Sequence, residues 1–126
     1  MAHSIIDPGR RADPSGHLAS LYIQTYTACV RFSWDARKSS RNLKERGFDF
    51  EFATQIFDGP TLERVDSRRD YGERRVVALG LAQGIALTVV YTDWADTGGE
   101  INRRIISARK SNRREREAYK KATTSR

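Results

Sequence analysis

Two apolar runs, RRVVALGL from Arg74 to Leu81 and IALTVVYT from Ile85 to Thr92, constrain this chain more than any other feature. They are rich in residues that suit strands, and Ala82-Gln83-Gly84 between them is short and turn-forming, so the stretch predicts a β-hairpin. Apolar side chains occur on both faces of each strand. Both strands are therefore expected in the middle of a sheet, at least partly covered by other elements.

The flanking segments supply those elements. Thr61 to Val65 predicts a further strand, followed by a charged turn, DSRRDYGE, that breaks at Gly72. Upstream, Val30 to Phe32 reads as a short strand, Ser33 or Asp35 can cap a helix over Ala36 to Arg46, and Gly47 is a suitable stop. Trp34 and Leu43 are expected to face inward. A second helix is expected after Asp49, with Phe52, Ala53, Ile56 and Phe57 at amphipathic spacing and a stop at Asp58-Gly59-Pro60. After Thr92 the loop DWADTGGE, with Gly98-Gly99, returns the chain into one more strand. The expected fold class is α+β: an antiparallel sheet of about four strands packed with two N-terminal helices and one C-terminal helix. Residues 1–29 form an N-terminal extension with Pro8, Gly9, Pro14 and Gly16, expected to be largely disordered at its start, with enough β character from Leu18 to Thr27 for a peripheral strand. The organised domain is expected over residues 30–126.

The last strand and helix, INRRIISARKSNRREREAY from Ile101 to Tyr119, carry the charge. The chain has 23 Lys and Arg against 16 Asp and Glu, a net charge of +7. From Asn102 onward there are ten Lys and Arg against two Glu, so this end alone carries +8 and the rest is slightly acidic in sum. Such a balance favours nucleic acid or an acidic protein as partner. Strict alternation puts Arg103, Ile105, Ser107 and Arg109 on one face of the strand and Asn102, Arg104, Ile106 and Ala108 on the other. Asn112 followed by Glu115 resembles a capping box, predicting a helix from Arg113 to about Ala122. Arg113 and Arg114 then fall in its first turn, where an anion such as backbone phosphate would offset an unfavourable dipole interaction. The alternative is a solvated helix face laced by a Glu117–Lys121 pair.

Other chemistries find little support. The single Cys29 cannot form an intramolecular disulfide and fits a reducing cytoplasm, no metal-ligand cluster is present, and no apolar run reaches membrane-spanning length. The only histidines, His3 and His17, lie in the N-terminal extension. No cofactor is expected.

Several motifs nevertheless resemble one family. VRFSWDARKSSRNLKERGFDFEFATQIFDGP is similar to the opening pattern of the BrnT toxins of bacterial type II toxin–antitoxin systems: Phe-x-Trp-Asp, a Lys and an Asn on the first helix, Lys-His-Gly, then a Phe-Asp-x-Pro turn. YGERRVVALG resembles their Gly-Glu-x-Arg strand, and RIISARKSNRRERE their Arg-Ile-Ile-Ser-Ala-Arg signature and arginine-rich last helix. The resemblance covers about residues 30–122, and Val30 falls where such proteins usually start. It implies a RelE-like fold, a metal-independent endoribonuclease that inhibits translation by cutting RNA, and a cognate antitoxin encoded downstream that forms a heterotetramer with the toxin. One departure stands out: the family's usual His before the helix-ending glycine is Arg46 here, which puts any acid–base role at that position in doubt.

RNA cleavage by its own 2′-hydroxyl needs that oxygen deprotonated, charge stabilised on the phosphorane and the leaving oxygen protonated. Arg104 and Arg109 match the family signature and are candidates for phosphate and transition-state contacts. Their odd separation places them on opposite faces unless a bend or strand end near Ser107 brings them together. Arg75 and Glu73 share a face on the neighbouring strand, Glu73 being either a general base or the ion-pair partner of an arginine. Lys38 and Lys44 are candidate RNA contacts or solvated lysines, Arg113 and Arg114 candidate phosphate contacts, and Trp94 and Tyr91 candidates for stacking on bases, with packing the alternative for Tyr91. Trp34, Phe52, Phe57 and Tyr119 are assigned to the core. The competing function class is a non-catalytic basic module that binds RNA, the ribosome or an acidic protein on the same fold.

Overall fold

The computed structural model describes residues 22–24, 30–67 and 72–124. Most of the 1–29 extension, on which disorder was expected, lies outside them. The order is β1 (Tyr22–Gln24), β2 (Val30–Trp34), α1 (Ala36–Arg46), α2 (Phe50–Ala53), a 3₁₀ turn (Thr54–Asp58), β3 (Thr61–Val65), β4 (Val76–Ala82), β5 (Ile85–Ala95), β6 (Ile101–Lys110) and α3 (Arg113–Thr124). The α+β class holds, but the sheet has six strands in the order β1-β3-β4-β5-β6-β2 rather than about four. It is also mixed, because β2 runs parallel to β6. The second helix is a single α turn that tightens into 3₁₀ geometry.

The hairpin lies at the centre as its two-faced apolar pattern requires, with Gln83 (φ 51°) and Gly84 (φ 82°) supplying the left-handed pair that a two-residue turn needs. Its inner face carries the main core: Val76, Ala78 and Ala82 of β4, Leu87, Val89 and Tyr91 of β5, and Ile105 and Ala108 of β6 pack against Phe48, Phe50, Ala53, Ile56 and Phe57. Phe32, Trp34 and Phe52 pack on the same cluster. Its outer face is covered on one half by α3, where Tyr119 packs on Leu62 and Leu79 and donates to the Pro60 carbonyl at 2.8 Å. Gly80 lets the 3₁₀ turn approach β4, since a Cβ there would stand 2.8 Å from that of Ile56.

α1 begins at Asp35, whose Oδ1 accepts from the N–H groups of Arg37 (2.8 Å) and Lys38 (3.3 Å), and ends at Gly47 in the left-handed region. The two backbone donors hold the exposed Asp35 carboxyl below its ordinary value. Leu43 does not face inward: it is 51% exposed. The helix is seated through polar groups instead, with Ser39 Oγ accepting from Phe50 N–H and Asn42 donating to the Phe48 carbonyl, both at 2.9 Å.

Candidate nucleic-acid interface

The decisive local feature lies in β6. Val90 pairs with Ser107 but Tyr91 pairs with Ile105, so Ile106 is an extra residue, a β-bulge. Before it, Ile101, Arg103 and Ile105 are buried on the inner face; after it, Ala108 is buried instead of Ser107 or Arg109. The bulge therefore resolves the parity problem in the arginine run. Arg104 and Arg109 both fall on the outer face.

Arg103 and Arg104, adjacent in sequence, have opposite fates. Arg103 is fully buried, stacked over the rings of Tyr91 (3.9 Å) and Phe57 (4.7 Å), with Nε and Nη2 on the Asp93 carboxylate at 2.7 and 2.6 Å. Tyr91, also fully buried, donates to Glu63 at 2.6 Å, and Thr61 Oγ1 does the same at 2.6 Å. Packing, not base stacking, is the role of Tyr91. Arg104 is exposed and makes no hydrogen bond or ion pair with any other described residue. It pairs with Thr92 on one side and Ser33 on the other. Trp94, 50% exposed, lies on the same face two residues beyond Thr92, a diagonal neighbour of Arg104.

Arg109 shares that face but is engaged. Its Nη1 and Nη2 each lie 2.8 Å from a Glu115 carboxylate oxygen. Glu115 also accepts from Asn112 N–H at 2.9 Å and Thr88 Oγ1 at 3.1 Å, while Asn112 Oδ1 accepts from Glu115 N–H at 2.9 Å, completing the expected capping box. With Arg109 foremost among these partners, the Glu115 carboxyl is held down at about 2.

Arg75 precedes β4, where the continued alternation directs it to the outer face, and it pairs with Glu73 at 3.1 Å. Arg113 and Arg114 do open α3, and Arg113 pairs with Glu117 at 3.1 Å, displacing the expected Glu117–Lys121 pair. Six residues of β6, one of them bulged, put this helix start on the order of 17 Å or more from Arg104. Lys38 and Lys44 lie on α1, which packs on the inner-face side of the sheet, so they do not join Arg104.

A model of the family described as "Ribonuclease toxin, BrnT, of type II toxin-antitoxin system" matches residues 34–115. This chain belongs to the BrnT toxin family. No curated protein matches the sequence. Ribonuclease toxins of this kind imply an RNA target and a cognate antitoxin. The BrnT match spans α1 through β6 and the first turn of α3, leaving out β1, most of β2 and α3 beyond Glu115.

Arg46, the departure from the BrnT pattern, has a structural position. Its Nη1 donates to the Ala108 carbonyl at 2.9 Å and to Asn42 Oδ1 at 3.2 Å, holding the end of β6 beyond the last residue that β2 pairs with. It approaches from the α1 side, away from Arg104. Among the described residues, no three His, Cys, Asp or Glu cluster as a metal site requires, and no helix is long and apolar enough to cross a membrane. Sequence reasoning passed over Glu63, Arg64 and Asp93. Glu63 is buried and Asp93 half-buried, each the partner of a core group, and only the pairing register shows which face each occupies.

Proposed function

We propose that this chain is a metal-independent endoribonuclease of RelE-like type that inhibits translation in the cytoplasm by cutting RNA on the outer face of its sheet. The reading rests on one observation: Arg104 stands exposed on that face, without an intramolecular partner among the described residues, diagonally beside exposed Trp94. A guanidinium placed there can meet a phosphate and the charge that grows on it as the 2′-oxygen attacks, while Trp94 holds a base. Continuing the register one residue before the Val76–Tyr91 pair sets Arg75 opposite Thr92, the partner of Arg104, where it can share the phosphate, with Glu73 as its ion-pair partner or the base for the 2′-hydroxyl. Arg113 and Arg114 extend the contact to RNA farther along. Arg109 positions the start of α3 and reaches phosphate only by exchanging Glu115 for it.

Residues 30–126 form the working domain in this reading, and the antitoxin assembles with the toxin as a heterotetramer. The occupation of Arg109 by Glu115 is the one observation that favours the alternative, a basic module that binds without cutting. Incubating the purified protein with end-labelled RNA in excess EDTA separates the two. Cleavage leaving 2′,3′-cyclic phosphate ends is expected; RNA left intact, or cut only after metal is restored, overturns the proposal.

A further inference from the structure

The outer face carries another cation, away from the arginine-rich end. Arg64 lies on β3, next to Leu62 of the outer cluster in alternation, while Glu63 between them is buried against Tyr91 on the inner side. Its side chain is exposed and makes no hydrogen bond or ion pair with another described residue. Following the register, Arg64 pairs with Val77, Val77 with Val90 and Val90 with Ser107. Arg104 stands in the adjoining row, paired with Thr92. Three strand spacings across and two residues along put the Cα atoms of Arg64 and Arg104 roughly 16 Å apart. Guanidinium groups rising from the same face at that distance meet different phosphates.

We propose that Arg64 is a second phosphate-binding residue, and that single-stranded RNA crosses the outer face transverse to the strands, from Arg104 on β6 to Arg64 on β3. This rests on reading that face as the RNA site. The direction follows from where charge is compensated. Along β6 from Arg104 the next outer cation is Arg109, already held by two short bonds to Glu115; at the α3 start beyond it Arg113 is paired with Glu117, and the exposed Arg114 is reached only past both. Across the strands, Arg64 offers a cation that no described carboxylate engages. The unpaired form of RNA is the one whose base faces can stack on Trp94, 50% exposed at the Arg104 end of the track.

The test is fluorescence anisotropy of the full chain with a single-stranded 2′-O-methyl oligonucleotide, which lacks the nucleophile for cleavage, read over a salt series. Arg64→Ala is expected to weaken binding roughly five- to tenfold at low salt and to make the slope of log K against log salt shallower by about 0.7, the loss of one phosphate contact. Arg64→Lys is expected to retain the slope. On cleavable RNA, Arg64→Ala is expected to raise KM by the same factor with kcat held within about twofold. Unchanged affinity and slope in Arg64→Ala, with a native melting curve, overturn the proposal. So does a variant that binds RNA as before but holds the antitoxin less tightly, which would make Arg64 part of a protein surface. A wild-type protein that binds the analogue through Arg64 but never cuts RNA would sink the nuclease reading and leave this track standing.

Discussion

Replacing Glu115 with Gln removes the charge at the centre of the clamp that fixes α3 to the sheet. The carboxylate receives both Arg109 nitrogens at 2.8 Å, Asn112 N–H at 2.9 Å and Thr88 Oγ1 at 3.1 Å. These partners, Arg109 first, lower its pKa from 4.5 to about 2. Fully expressed, that shift is on the order of 3 kcal/mol of stability. Glu115 has only 18% of its side chain exposed, but Arg109 is 45% exposed, and solvent screening reduces the contribution to about 1–2 kcal/mol. The sign follows from a depressed carboxyl: the contribution is complete above pH 4.5 and disappears as the pH falls through 2. Urea titrations of wild type and Glu115→Gln at a series of pH values should show the gap near neutrality and its closure in acid. A gap of the same size at pH 3 and pH 7, or none at pH 7, would refute the clamp.

Two further perturbations test the packing beneath the site. Gly80→Ala adds a methyl 2.8 Å from Ile56 Cβ and 3.1 Å from Thr61 Cγ2, and should cost about 1–3 kcal/mol in chemical denaturation. A neutral effect would mean that the 3₁₀ turn does not press on β4. Tyr91→Phe removes a 2.6 Å donor from the fully buried Glu63 and should cost about 1–3 kcal/mol by the same measurement, with little change in RNA affinity. A loss of RNA binding without a loss of stability would return Tyr91 to the interface.

The hairpin, β3, the Asn112–Glu115 capping box and the helix stop at Gly47 were legible because each is set by residues close in sequence. What was hidden depends on distant partners. The bulge at Ile106 carries no glycine to mark it, and without it alternation separates Arg104 from Arg109. Nothing in the dipeptide Arg103-Arg104 distinguishes a guanidinium stacked on Tyr91 from one facing solvent; Asp93, ten residues earlier, makes the difference. The parallel pairing of β2 with β6 joins segments some seventy residues apart, so the sheet read as antiparallel where it is mixed. Leu43 read as core because a lone leucine on a charged helix draws the eye, whereas α1 docks through Ser39 and Asn42, whose spacing of three was the available signal.

The most direct measurement on the central claim is the single-turnover cleavage rate of Arg104→Ala set beside its affinity for an uncleavable RNA analogue. If Arg104 stabilises charge on the phosphorane, the rate should fall by roughly 10²–10³ while affinity weakens by less than about tenfold. Equal losses in rate and affinity, or a variant that cuts as fast as wild type, would contradict it.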